Sequence, residues 1–248
     1  DMILGKMQIP LVSPVIGLKT GLISCYEFNE TSGTTVADAK GSLNLTTNAT
    51  INQTGKLGKC YSYDGSTDYT ISAAETALYN GLPAFSVSLW MYSDFTTSSS
   101  GVIHCLSTLG AYSAAAYSWD LHIEFGSYKW YYFCVRNGSA YRYAATSYQS
   151  LSIGYWFHLA AVWDASVNGG IPVIYKNGSD ATTYTSTYLD MTTFGTTSRK
   201  VAIGTDAGKL KWFNGKIDQT ATWGRALSAA EVSQLYNSGN GKAYSAWT

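Results

Sequence analysis

From Gly21 onward the chain alternates between the two faces of extended backbone, and that period of two confines it to β structure. The run Phe85-Ser-Val-Ser-Leu-Trp-Met91 shows the pattern most clearly. Side chains in a strand point alternately to opposite faces, so apolar residues at every second position mark a half-buried strand. Over residues 22–28 the set Leu22, Ser24, Tyr26 and Phe28 alternates in the same way with Ile23, Cys25 and Glu27. Further strands are expected over 60–63, 67–71, 102–106, 119–125, 130–135, 141–145, 156–163, 173–176 and two short stretches within 201–218. Turn chemistry separates them, as in Asn29-Glu-Thr-Ser-Gly33, Asp64-Gly65 and Asn177-Gly178, where Gly and Asn supply the backbone angles a tight turn needs.

Two stretches break the period. Residues 75–79 suggest one helical turn. Residues 228–236 form an amphipathic helix with Ser228 as N-cap and Glu231 completing a capping box. Leu227 is its staple, Val232, Leu235 and Tyr236 its apolar stripe, and Gly239 its stop. Many short strands with one late helix imply an all-β, two-sheet antiparallel jelly-roll sandwich with one short C-terminal helix. A length of 248 residues fits one such domain over 21–248. Residues 1–20 stand apart as an extended arm or linker. Pro10 and Pro14 oppose a helix there, and the scattered Met, Ile, Leu and Val want a cover, which a neighbouring protein chain would supply.

Charged residues make up 13% of the chain and aromatic residues 15%, with 20 Tyr and 8 Trp, at a net charge of +0. Nucleic-acid binding is largely phosphate neutralisation by Lys and Arg, so no nucleic-acid partner is expected. The apolar runs are too short for a membrane span. Few charges with many Tyr and Thr suit a surface that meets neutral polar ligands. Cys25, Cys60, Cys105 and Cys134 show no zinc-type spacing. They are either four small buried residues or two disulfides, Cys25 with Cys60 and Cys105 with Cys134.

Six segments in order resemble a known family. They are the opening strand with Asn29-Glu-Thr-Ser-Gly-Thr34, then Tyr63-Asp-Gly-Ser-Thr-Asp-Tyr69, the strand from Phe85 to Trp90, Trp156-Phe-His-Leu-Ala-Ala-Val-Trp-Asp164, Ile174-Tyr-Lys-Asn-Gly178, and the closing Phe213-Asn-Gly-Lys-Ile-Asp218 with its helix. Together they resemble the LamG-like jellyroll of the concanavalin A-like lectin/glucanase superfamily, the laminin G and pentraxin type. That resemblance implies the sandwich fold but no single activity, since one fold hosts many. It also implies a structural calcium ion, with Asp38, Gly41 and Asp218 at the matching positions. Asn29 and Gln219 stand where the family carries acids, which lowers the negative charge available to the ion.

The chemistry concentrates in Trp119-Asp-Leu-His-Ile-Glu-Phe125. Trp119, Leu121, Ile123 and Phe125 share one face, toward the core; Asp120, His122 and Glu124 share the other. The resemblance makes that second face a place to bind or cleave glycans. Asp120 and Glu124 would be the carboxylate pair of a jelly-roll glycoside hydrolase, although His122 stands where that family's strand carries Asp. Binding needs less: aromatic faces for sugar C–H groups and a few polar anchors. The expected ligand set is Asp120, His122, Trp130, Tyr132 and Arg142. The sequence thus suggests a non-catalytic adhesion or recognition module for a glycan, glycoprotein surface or other partner, in an extracellular protein or on a virion surface. The alternatives are a structural or decoration subunit docking through residues 1–20, and the hydrolase.

Overall fold

The computed structural model describes residues 16–94, 102–110, 117–125, 129–147 and 154–248. Within them the strands are β1 Leu22–Tyr26, β2 Thr35–Val36, β3 Leu45–Thr47, β4 Thr50–Thr54, β5 Lys59–Asp64, β6 Thr70–Ser72, β7 Ala84–Ser93, β8 Val102–Gly110 and β9 Tyr117–Phe125. There follow β10 Lys129–Asn137, β11 Ala140–Thr146, β12 Trp156–Asp164, β13 Val173–Lys176, β14 Ser179–Asp180, β15 Thr182–Tyr188, β16 Val201–Ile203 and β17 Asn214–Trp223. One α-helix, α1, covers Ala229–Tyr236. The strands form two antiparallel sheets. The first has eight strands in the order β14-β13-β12-β7-β17-β5-β4, with β1 also on β17. The second has nine, in the order β15-β11-β10-β9-β8-β16-β6-β3-β2. This is the expected jelly-roll sandwich.

The period of two builds the core. Phe85, Val87, Leu89 and Met91 of β7 and Phe157, Leu159, Ala161 and Trp163 of β12 face inward from the first sheet. They meet Trp119, Leu121 and Ile123 of β9 and Tyr131, Phe133 and Val135 of β10. Ring contacts lock the centre, with Phe85 4.9 Å from Trp119 and Trp163 5.1 Å from Phe194. Each such side chain contributes about 1.5–3 kcal/mol by burial, so this slab dominates the fold's stability. At Gly204, φ is +75° and an added Cβ would lie 2.1 Å from the Tyr63 ring, so only glycine fits there.

The outer face of the first sheet is covered. Ala160 and Val162 of β12 and Ala221 and Trp223 of β17 pack against Leu227, Val232 and Leu235 from the helix segment and Leu18 and Trp247 from the chain's two end segments. The Trp223 indole N–H donates to the Leu18 carbonyl at 2.6 Å, and its ring stacks on Trp247 at 5.6 Å. The Ser228–Glu231 capping box forms as expected, and the Arg225 guanidinium closes on the Glu231 carboxylate. Two expectations are corrected. The helix ends at Asn237, in the left-handed region at φ 48°, not at Gly239, because Asn also tolerates that conformation. Residues 75–79 form no helical turn: Thr76 bridges to Arg199, which holds the segment extended before a turn.

Residues 1–15 of the expected arm lie outside the described residues. Residues 17–20 are already fastened to the domain: Lys19 N–H donates to the Thr248 carbonyl, and Arg225 donates to the carbonyls of Gly17 and Thr20. Cys25 and Cys60 are free, buried thiols, so the Cys25–Cys60 disulfide is not formed. The Cys105 side chain lies outside the described residues. Among the described residues no helix is long and apolar enough to cross a membrane.

Candidate functional site

The alternation expected in β9 is present. Trp119, Leu121 and Ile123 enter the core, while Asp120, His122 and Glu124 take the outer face of the second sheet; the Phe125 side chain lies outside the described set. Cross-strand pairing sets His122 opposite Tyr132, Glu124 opposite Trp130 and Asp120 opposite Cys134. Directly opposed residues share a face, so Asp120, His122, Glu124, Trp130 and Tyr132 stand together.

Two of these residues are fully buried. His122 Nδ1–H donates to Asp120 Oδ2 at 2.6 Å, with both side chains inaccessible. The bond fixes the ring's orientation. Glu124 Oε2 accepts from the Trp130 indole N–H at 2.8 Å. A hydrolytic pair needs carboxylates that reach substrate. Asp120 is sealed in and bonded to His122, which leaves it poorly placed to act as a nucleophile.

The aromatic residues form a continuous ladder. The His122 ring lies 4.7 Å from Tyr132, Tyr132 lies 4.8 Å from Tyr143, Tyr143 lies 6.4 Å from Tyr141, and Tyr141 lies 5.4 Å from Tyr188. A second contact joins Trp130 to Tyr184 at 5.6 Å. The ladder crosses β9, β10, β11 and β15. The sequence expectations included Trp130 and Tyr132 as candidate rings. They missed Tyr184 and Tyr188, because 182–188 (TTYTSTY) has no apolar alternation. The available signal was β-propensity, since Thr and Tyr both favour strands.

Arg142 lies elsewhere. It is opposite Val135 of the core, so it points to the inner face of the sheet, away from Asp120, His122 and Tyr132. There it is buried and donates through Nη1 to the carbonyls of Tyr141, Tyr188 and Leu189. Leu189 is held at φ 57°, a costly angle for a branched side chain. Arg142 thus anchors the end of β15 from behind.

The expected metal residues do not converge. Asp38 bridges Tyr26 on one side of β1, whereas β17, with Asp218, lies on the other. Asp38 Oδ1 accepts from the backbone N–H groups of Cys25 and Lys40, and Oδ2 from those of Ser42 and Leu43, all at 2.9–3.0 Å. Gly41 makes the turn itself, at φ +85°. Asp218 lies opposite Trp90 on the covered face of the first sheet, at a bulge where Gln219 takes φ 42°. Its Oδ2 accepts from Lys56 and Leu57 N–H at 2.7 Å, while Oδ1 is buried with no hydrogen-bond partner. Burial raises its carboxyl to about 7, against the smaller opposing effect of those N–H groups. Calcium requires six to eight oxygens around one point. These residues do not fit it: one carboxylate is saturated by backbone, and the other is desolvated on a different side of β1. Among the described residues no three His, Cys, Asp or Glu side chains group to hold a metal ion.

Known structures share this architecture. The receptor-binding domain of botulinum neurotoxin C/D mosaic serotype superposes with a TM-score of 0.64 at 16% identity, covering 88% of this chain and 51% of that one. The binding domain of botulinum neurotoxin DC in complex with SialylT gives 0.62 at 16% identity, with 88% and 51% covered. Domain 4 of AbnA, a GH43 extracellular arabinanase from Geobacillus stearothermophilus, in complex with arabinotriose, gives 0.57 at 19% identity, with 86% and 96% covered. The chain therefore spans about half the length of the neurotoxin domains it matches. No curated protein matches it in sequence. The family model of the concanavalin A-like lectin/glucanases superfamily matches residues 64–233, well over half of the chain. The chain belongs to that superfamily.

Proposed function

We propose that this domain is a non-catalytic module that binds glycans on the outer face of the second sheet, within an extracellular protein. The observation that carries this reading is the aromatic ladder that runs out from the buried His122 through Tyr132, Tyr143 and Tyr141 to Tyr188, with Trp130 and Tyr184 beside it. Aromatic rings with polar tips give a ligand C–H surface and hydroxyl partners together. The opposite outer face of the sandwich is filled by the domain's own helix and end segments. Two solved structures of similar fold hold glycans in their complexes, arabinotriose in one and SialylT in the other. The burial of Asp120 beneath His122 supports recognition over hydrolysis. An array of monosaccharides, neutral oligosaccharides and sialylated oligosaccharides tests the reading. Retention of at least one glycan is expected; a blank array abandons it.

A further inference from the structure

The ladder's rings do not all offer the same thing to a ligand. Tyr132 is flanked by His122 at 4.7 Å and Tyr143 at 4.8 Å, with interplanar angles of 33° and 31°. Tyr141 is flanked by Tyr188 at 5.4 Å and the Arg136 guanidinium at 4.9 Å. A ring held between two neighbours at these distances has both faces occupied, whereas Tyr188, at the end of the row, gives Tyr141 one face. A sugar stacks on a face, so the middle of the ladder is a poor platform. Among the described residues the sheet ends at β15, which pairs only with β11. Tyr184 is 38% exposed there and Tyr188 51% exposed.

We infer that the binding subsites are Tyr184 and Tyr188 on the edge strand, and that their occupant is a neutral oligosaccharide lying along β15. This rests on the glycan-binding reading and narrows it. Residues 184 and 188 share a face and stand four positions apart, about 13 Å at the rise of a strand. A sugar stacked on one ring at about 4.5 Å lies about 8.5 Å from the other, so one sugar does not stack on both. The half-buried Ser186 lies between them, opposite Tyr143, and offers a hydroxyl to the middle of the chain. The charge around β15 disfavours an acidic glycan. Asp190, 3.7 Å from the Arg142 guanidinium, is fully exposed beside its end, Arg136 lies over Tyr141, and Arg142 itself is buried on the inner face. Arg142 is a positioning residue here, since its bonds to the Tyr188 and Leu189 carbonyls hold the end of the strand.

The test uses the full chain and the same array. Neutral oligosaccharides are expected to bind, with monosaccharides and sialylated glycans much weaker. Tyr184→Ala and Tyr188→Ala should each weaken the best neutral oligosaccharide roughly tenfold, and Tyr188→Phe should keep most of the affinity. Thermal melting of each variant checks that the fold survives. Binding that persists in both alanine variants but disappears in Tyr143→Phe would place the glycan over the middle of the ladder. That outcome overturns this inference while leaving the glycan-binding reading intact. Preference for sialylated glycans would overturn the neutral assignment. Failure of every glycan to bind removes the reading itself, and the inference with it.

Discussion

The two outer faces of this sandwich are built from the same kind of strand and have opposite fates. On the first sheet, Trp223 and Trp90 are buried: Trp223 stacks on Trp247, and Trp90 lies against His158 and Tyr236. On the second, Asp120 and His122 in the middle are buried too, but burial falls toward the edge: Trp130, Tyr132, Tyr141 and Tyr143 are half-buried, and Tyr184 and Tyr188 are exposed. The difference lies in what the chain spends on each. The helix, both end segments and the turn between β4 and β5 all go to the first face. An aromatic residue there contributes to stability. On the second face, toward the β15 edge, its contribution to folding is smaller and its surface stays accessible.

Substitutions on the two faces should therefore have different readouts. The largest effect is expected from Trp223→Ala, which empties the centre of the covered face and removes the N–H bond to Leu18. Chemical denaturation should show a loss of about 3–5 kcal/mol, with glycan binding unchanged at temperatures where the variant is folded. A loss below about 1 kcal/mol would mean that the cover is not structural.

Next in size is the pH response of the covered face. Asp218 has a folded-state carboxyl raised to about 7 by burial, against about 3.9 in an unfolded chain. Its contribution to stability is therefore fully present below about pH 4 and is lost as pH rises through 7. His158, bonded to Ser88 and lowered to about 3 by burial, acts in the opposite sense. Its contribution is present above its unfolded value near 6.5 and is lost as pH falls. Comparing the wild type with Asp218→Asn isolates the first group. The variant should be more stable at pH 8, on the order of 3 kcal/mol, and the gain should vanish near pH 4. An equal difference at both pH values would refute the desolvated carboxylate.

On the open face, Tyr143→Ala should cost only about 1–1.5 kcal/mol, since it removes ring contacts from a half-buried site. The smallest effect expected is from a chelator. With Asp38 saturated by backbone N–H groups, EDTA should leave the melting temperature unchanged. A drop of several degrees would restore the calcium ion that the family resemblance implied.

The sequence was most legible where burial enforces alternation. Phe85–Met91 and Trp119–Phe125 identified the core, and the Ser228–Glu231 box identified the helix. It was least legible at sheet edges. Strand β15 is exposed on both faces, so nothing makes it alternate, and Tyr184 and Tyr188 escaped a search keyed to hydrophobic period. Arg142 shows the converse limit. Its neighbours Tyr141 and Tyr143 belong to the outer face, and as the residue between them Arg142 points to the inner side, opposite Val135. Asp38 and Asp218 matched a family position, but sequence does not reveal that backbone N–H groups already occupy a carboxylate.

The central claim is that the open face takes the ligand and the covered face does not. Titrating labelled protein with the strongest-binding oligosaccharide from the array, and following the tryptophan indole N–H signals by NMR, tests it directly. The Trp130 indole, bonded to Glu124 beside Tyr184, should shift with saturation. The indoles of Trp223 and Trp247, bonded to the carbonyls of Leu18 and Lys242, should stay in place. Movement of the latter two with a fixed Trp130 would contradict the account.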